Sequence, residues 1–106
     1  MAENKPIIRL MFVNMKEAFN DLSDEEKMAF MVKDRKNLEE LGCTFEMVNL
    51  TESNEEWQYI GIEKWLSMEA IEKRAKFEKE ELEIQRYVEY KTIVGTRESS
   101  DDYGKE

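Results

Sequence analysis

A chain of 106 residues with 41 % hydrophobic side chains is enough for one domain with a packed core, which argues against disorder. The 25 acidic and 16 basic side chains leave a net charge of −9, and such a surface repels phosphate backbones and anionic lipids. We therefore expect neither nucleic acid nor a membrane as a partner.

Histidine is absent from the chain and Cys43 is its single cysteine. This composition excludes histidine-based proton relays, zinc sites of cysteine and histidine, and an internal disulfide. We expect no metal and no cofactor, and the lone thiol favours a reducing, cytoplasmic setting. Residues 1–6 are largely polar and Arg9 interrupts the apolar run after them, so we predict no signal peptide.

The first half of the chain predicts a strand, a helix and a second strand. Residues 7–15 form the first strand, whose two faces are both largely apolar, so we expect both faces to be covered. Residues 16–22 connect it, with room for one helical turn. Ser23 and Glu26 have the spacing of a capping box, which starts a helix that runs to about residue 41 and ends at Gly42. Residues 44–50 form the second strand.

The second half repeats the pattern. Residues 57–65 alternate aromatic and β-branched side chains with period two, which predicts a strand that forms a hairpin with the second one. Ser67 caps a helix over residues 68–88, with a bend or break near residues 78–81. Residues 90–94 form the last strand. We assign residues 1–97 to one domain and residues 98–106 to a flexible acidic tail.

The element order predicts an α+β, ferredoxin-like βαββαβ fold with a four-stranded antiparallel sheet in the order 4-1-3-2. Both helices then lie on one face and leave a largely apolar face bare. We expect a second copy to cover that face, so that a homodimer pairs two sheets into a dimeric α/β barrel.

Residues 60–70 follow the pattern apolar-x-apolar-Glu-x-Trp-x-Ser-x-Glu-Ala, which resembles the third-strand-to-helix segment of the dimeric α/β-barrel superfamily. That superfamily includes antibiotic-biosynthesis-type monooxygenases, haem-degrading monooxygenases and darcynin-like proteins, and the chain looks most similar to the darcynin-like and antibiotic-biosynthesis-type members. Asn14 matches an asparagine that haem-degrading members carry on the first strand. Their helix tryptophan corresponds to Arg74, and their histidine has no counterpart here.

The charged residues Arg9 and Glu63 are expected to meet on neighbouring strands. A structural ion pair is the simpler interpretation, because an unpaired buried charge is costly. The functional interpretation places a ligand cavity between the sheet and its dimer partner, where the candidate lining residues are Arg9, Met11, Asn14, Trp57, Tyr59, Glu63 and Trp65.

Three functions remain open from the sequence. The first is the binding of a small hydrophobic or aromatic molecule in that cavity. The second, implied by the resemblance, is a cofactor-independent monooxygenase, isomerase or cyclase acting on an aromatic or polyketide-like substrate. The third is a structural dimer with a filled barrel. A Glu63 held as a free acid in an apolar cavity would favour the enzyme.

Overall fold

The computed structural model describes residues 6–98, 100, 101, 103 and 104. The acidic tail predicted for residues 98–106 therefore lies partly outside the described residues, and positions 1–5 lie wholly outside them. In chain order the elements are β1 (Ile7–Met15), α1 (Glu17–Asn20), α2 (Asp24–Glu40), β2 (Thr44–Asn49), β3 (Tyr59–Trp65), α3 (Met68–Glu80), α4 (Ile84–Tyr87) and β4 (Val88–Thr96).

The sheet has four antiparallel strands in the order β2-β3-β1-β4, which confirms the predicted order. In the centre of the sheet Arg9 lies opposite Glu63 on β3 and opposite Val94 on β4. Because directly opposite residues of antiparallel strands point to the same face, this register places both charges of the predicted pair on one side.

Two serines begin the long helices as predicted. The Ser23 hydroxyl accepts a hydrogen bond from the Glu26 amide, and the Glu26 carboxylate accepts one from the Ser23 amide, which completes the capping box. The Ser67 hydroxyl accepts from the Ala70 amide at the start of α3. These bonds satisfy backbone donors that have no partner within the helix.

The single helix predicted over residues 68–88 is interrupted. It ends at Glu80, Glu83 adopts a left-handed backbone with φ of 49°, and the short α4 follows. The interruption begins within residues 78–81, where the drift of the apolar positions predicts a bend or break. It allows Leu82 and Ile84 to be buried together against β1 and β4. The last strand begins at Val88, two residues earlier than predicted.

The helices cover one face of the sheet. Two buried clusters lie there, one around Met11 and Val13 and the other around Leu38 and Trp65. By strand alternation the opposite face carries the neighbouring β1 and β3 residues, which are only partly buried: Ile8, Leu10, Phe12, Ile60 and Ile62. Among the described residues, no helix is long and apolar enough to cross a bilayer.

Candidate functional site

A buried ion network lies between the sheet and α3. The Arg9 guanidinium donates from Nε to Glu63 Oε1 at 2.6 Å and from Nη2 to Glu63 Oε2 at 3.2 Å. The same guanidinium donates to both carboxylate oxygens of Glu78 on α3, at 3.0 and 2.7 Å. Because Arg9, Glu63 and Glu78 are only 3 %, 5 % and 3 % exposed, these bonds form away from water.

Arg74 extends the network to α2. Its Nε donates to Glu78 Oε2 at 3.1 Å, and its Nη1 donates to Asn37 Oδ1 at 3.0 Å. Nη2 donates to the carboxylate of Asp34, which closes a chain of charges from β3 through β1 and α3 to α2. Among the described residues, every buried side-chain nitrogen and oxygen has a hydrogen-bond partner. The network is therefore complete within the chain itself.

The network keeps Arg9 charged. Burial by itself would lower the pKa of the guanidinium, but the hydrogen bonds that it donates to Glu78 and Glu63 outweigh burial and hold the pKa above its ordinary value. The Trp65 indole also donates to Glu63 Oε1, at 2.9 Å. Both oxygens of Glu63 thus accept hydrogen bonds within the chain.

Arg9 and Glu63 do not lie on the sheet face where the ligand cavity was expected. Both side chains point towards the helices, because their second carboxylate partner, Glu78, comes from α3. Alternation correctly places the two charges on one face, but it does not say which face the helices cover. The ion pair itself, predicted as a structural pair, is confirmed and belongs to a larger network.

An open apolar cleft lies between α2 and the sheet, and we call it the α2 cleft. Its volume is about 840 Å³. Its apolar lining comes from β1, β2, α2 and the start of β4, and it includes Met11, Val13, Met15, Phe30, Met31, Phe45, Met47 and Val88. At its inner end it reaches three members of the ion network: Asp34, Glu63 and Arg74.

The mouth of the α2 cleft is formed by exposed apolar side chains. On α2, Met28, Met31 and Val32 are 59 %, 50 % and 56 % exposed, and on β2 Met47 is 55 % exposed. All six residues of β2 are exposed, so this strand has no helix above it. The cleft thus has exposed apolar side chains on both of its sides, α2 and β2.

The seven residues proposed for the site separate in the structure. Met11 and Glu63 line the α2 cleft, whereas Arg9 lies behind Glu63 in the network. Trp65 is 2 % exposed and packs with Leu38 and Ile71 outside the cleft lining. Tyr59 packs at the edge of the other cluster.

Asn14 and Trp57 take structural positions. Asn14 donates to the Glu56 carbonyl at 2.7 Å and accepts from the Gln58 amide at 2.8 Å, so it fixes the segment that leads into β3. Trp57 precedes β3 and packs its ring 5.8 Å from that of Phe12, on the face away from the helices. The strand starts only at Tyr59, so Trp57 lies outside β3 and not within the strand predicted over residues 57–65.

Cys43 also lines the α2 cleft but is not a reactive thiol. It is 6 % exposed, and its Sγ donates to the Thr44 carbonyl at 3.4 Å. Burial, assisted by the nearby Glu63 carboxylate, raises the pKa of the thiol to about 12. The structural interpretation of this residue is therefore supported, because a thiol that stays protonated is a poor nucleophile and a poor metal ligand.

Sequence reasoning missed Arg74 and Glu78 as parts of the core. Glu78 lies in the charged run of residues 76–83, which is typical of a solvated helix face, and Arg74 stands out from the sequence only as the counterpart of the helix tryptophan of haem-degrading proteins. Their spacing carried a signal: Ile71, Arg74, Glu78 and Leu82 follow one another at intervals of three and four residues and are all buried. A charged pair on an apolar stripe, on a helix facing another buried charge, indicates a buried network.

No family model matches the chain and no curated protein matches it. Solved structures do match. A novel heme-binding protein from Thermus thermophilus superposes with a TM-score of 0.72 at 12 % identity, covering 90 % of this chain and 41 % of that one. The chlorite dismutase of Candidatus Nitrospira defluvii in complex with imidazole gives a TM-score of 0.72 at 12 % identity, covering 92 % of this chain and 42 % of that one.

At this level of identity the likeness concerns the fold alone. The chain spans about two fifths of the length of these proteins. The more specific resemblance to darcynin-like and antibiotic-biosynthesis-type proteins stays a prediction. The chain has a four-stranded ferredoxin-like fold of the kind that these heme-binding and chlorite dismutase structures contain.

Proposed function

We propose that the protein binds a small, uncharged apolar or aromatic molecule in the α2 cleft. The observation that carries the proposal is an open cleft of about 840 Å³ whose apolar walls end at a complete ion network. Ligand sites are typically clefts of roughly 300–1,000 Å³ with mostly apolar walls and a few fixed polar groups. The location differs from the one expected from sequence, but the class of ligand is the same.

Methionines give this cleft an adaptable lining. Met11, Met15, Met28, Met31 and Met47 all contribute to it. Their unbranched thioether side chains change rotamer at low cost and contact aromatic rings favourably. Such a lining suits a flat apolar molecule whose outline the protein does not match rigidly.

The residues present do not fit haem held by an imidazole, although one of the similar structures is described as heme-binding. The chain contains no histidine. Its one thiol, Cys43, lies at the cleft but is kept protonated by burial, which raises its pKa to about 12. The imidazole and thiolate axial ligands of protein haem sites are therefore missing.

The other two functions have less support. Enzymatic acid–base chemistry at Glu63 needs a free carboxylate, whereas both of its oxygens accept hydrogen bonds from Arg9 and one also accepts from Trp65. A purely structural role leaves the exposed apolar cleft mouth unexplained. We therefore rank binding first, and an enzyme acting on an aromatic substrate without a cofactor second.

The binding proposal is tested by titrating the protein with N-phenyl-1-naphthylamine, a neutral dye that fluoresces in apolar sites. We expect saturable binding at one dye per chain. Met31→Gln combined with Met47→Gln should weaken it about tenfold, equivalent to about 1.4 kcal/mol, because both side chains are at the cleft mouth.

Met68→Gln is the matched control, since Met68 is 49 % exposed and lies outside the cleft. Equal weakening by the control and by the double variant, or no binding to the parent, contradicts the proposal.

We further propose that a second copy of the chain covers the sheet face opposite the helices. That face combines the partly buried Ile8, Leu10, Phe12, Ile60 and Ile62 with Ile93, which is 47 % exposed. Its charged residues by strand alternation are Glu46, Lys64, Lys91 and Glu89, so the face is neutral in a chain of net charge −9. Two identical neutral faces approach each other without the repulsion felt elsewhere.

Sedimentation velocity at micromolar concentration tests this assembly. We expect a dimer for the parent and a monomer for Ile93→Lys, which puts a charge on the apolar face. Val94→Lys is the matched control, because Val94 is 42 % exposed on the same strand but points to the helix side. A monomeric parent, or equal dissociation by both variants, contradicts the proposed dimer.

A further inference from the structure

The cationic side chains among the described residues that line the α2 cleft all donate hydrogen bonds to other side chains of the protein. Among the described lining residues the only cations are Arg74 and Arg35. Arg74 donates to Glu78, Asn37 and Asp34, and Arg35 donates to Glu39 at 2.9 Å. An entering anion therefore finds no unpaired cation among these residues and would have to displace a carboxylate to obtain one.

The inner end of the cleft also has an excess of negative charge. The ion network contains the guanidiniums of Arg9 and Arg74 and the carboxylates of Glu63, Glu78 and Asp34. Three carboxylates against two guanidiniums leave one negative charge uncompensated, and Asp34 and Glu63 line the cleft directly.

We propose that the α2 cleft selects its ligand by charge, admitting neutral or cationic apolar molecules and rejecting anionic ones of the same shape. This inference rests on the proposed binding function and adds a substrate class to it. The apolar walls provide affinity that does not depend on the ligand's charge. The network provides the discrimination, because it repels an anion and offers it no hydrogen-bond donor.

Two dyes that share one skeleton provide the test. N-phenyl-1-naphthylamine is neutral, and 8-anilino-1-naphthalenesulfonate is the same ring system with a sulfonate. We expect the sulfonate to bind at least about tenfold more weakly to the parent protein, by direct fluorescence titration of each dye. The difference should shrink as salt is added, because screening weakens the repulsion.

Three variants locate the origin of the selectivity. Asp34→Asn removes the excess charge and keeps an oxygen that accepts from Arg74, and Glu39→Gln removes a carboxylate from the exposed Arg35 pair. Each should strengthen binding of the sulfonate relative to the neutral dye, so that the ratio of the two affinities changes severalfold. Glu52→Gln makes the same change in net charge at an exposed residue outside the cleft and should change neither affinity.

The outcomes separate the two proposals. Equal affinity for both dyes overturns the selectivity and leaves the binding function standing. If Glu52→Gln reduces the difference between the two dyes as much as Asp34→Asn and Glu39→Gln do, the discrimination depends on total charge. That result also overturns the inference. If neither dye binds, the proposed function fails and the selectivity with it.

Discussion

Helix α2 has two unlike sides. On the side facing α3, Leu38 is 4 % exposed and Arg74 holds Asp34 and Asn37. On the side facing β2, Met28, Met31 and Val32 are at least half exposed. The helix is thus fixed from one side only, and the α2 cleft is the consequence.

We therefore expect the two sides of α2 to contribute differently, one to stability and the other to ligand binding. The α3-facing side has complete packing and hydrogen bonding, so substitutions there should cost stability. The β2-facing side has apolar surface without a partner, so substitutions there should cost little stability and should change binding. Substitutions on the two sides of α2 test this division.

The largest effect is expected for Arg9→Met, which leaves Glu63 and Glu78 buried without their shared cation. Removing one partner from a buried ion pair costs about 3–5 kcal/mol of unfolding free energy. Urea denaturation measures it, and adding Glu63→Leu should restore part of the loss.

Arg35→Met is the control for Arg9→Met, since Arg35 pairs with Glu39 at the exposed surface and that pair is worth about 0.3–0.5 kcal/mol. If both arginine variants lose the same free energy of unfolding, the buried network does not hold the α3-facing side of α2.

The two sides of α2 are compared directly by Leu38→Ala and Met31→Ala. Leu38 is 4 % exposed and its truncation should cost about 2–5 kcal/mol, because a cavity remains. Met31 is 50 % exposed, so its truncation should cost below about 1 kcal/mol of unfolding free energy while weakening dye binding. Similar losses of stability for the two variants would show that the cleft is closed in solution.

The buried thiol of Cys43 predicts that the stability of the fold depends on pH. The unfolded thiol ionises near pH 9.0, whereas burial holds the folded thiol protonated up to a pKa of about 12. The unfolded state therefore loses its proton first, and stability falls as the pH rises from 9 to 12, by up to about 1.4 kcal/mol per pH unit. Cys43→Ala should be less stable at neutral pH but should lack this part of the decline. Parallel declines for the two proteins would contradict the burial of the thiol.

The smallest effect is expected for Ser23→Ala, which removes the hydroxyl that accepts from the Glu26 amide. Loss of such a cap costs about 1 kcal/mol. Because α2 is held from its α3-facing side, dye affinity should not change. If affinity falls together with stability, the position of α2 depends on its first turn and not on the Arg74 contacts.

Alternation and connection rules were sufficient for the sheet order, the helix starts and the meeting of Arg9 with Glu63. These features depend on local spacing and on the few allowed topologies. The face of the sheet on which the pair lies was not predictable, since both faces of β1 are apolar. The cleft was not predictable either, because it depends on how far α2 stands from β2. The burial of Arg74 and Glu78 was not predicted, because charged helix residues usually face water.

The most direct test of the central claim is an NMR titration with N-phenyl-1-naphthylamine of protein carrying ¹³C-labelled methionine methyl groups. Five of the seven methionines line the α2 cleft, namely Met11, Met15, Met28, Met31 and Met47, whereas Met68 lies outside it. The account predicts that these five methyl signals shift with one common dissociation constant and that the Met68 signal stays. Shifts confined to Met68, or no shifts at saturating dye, would contradict a binding site in the α2 cleft.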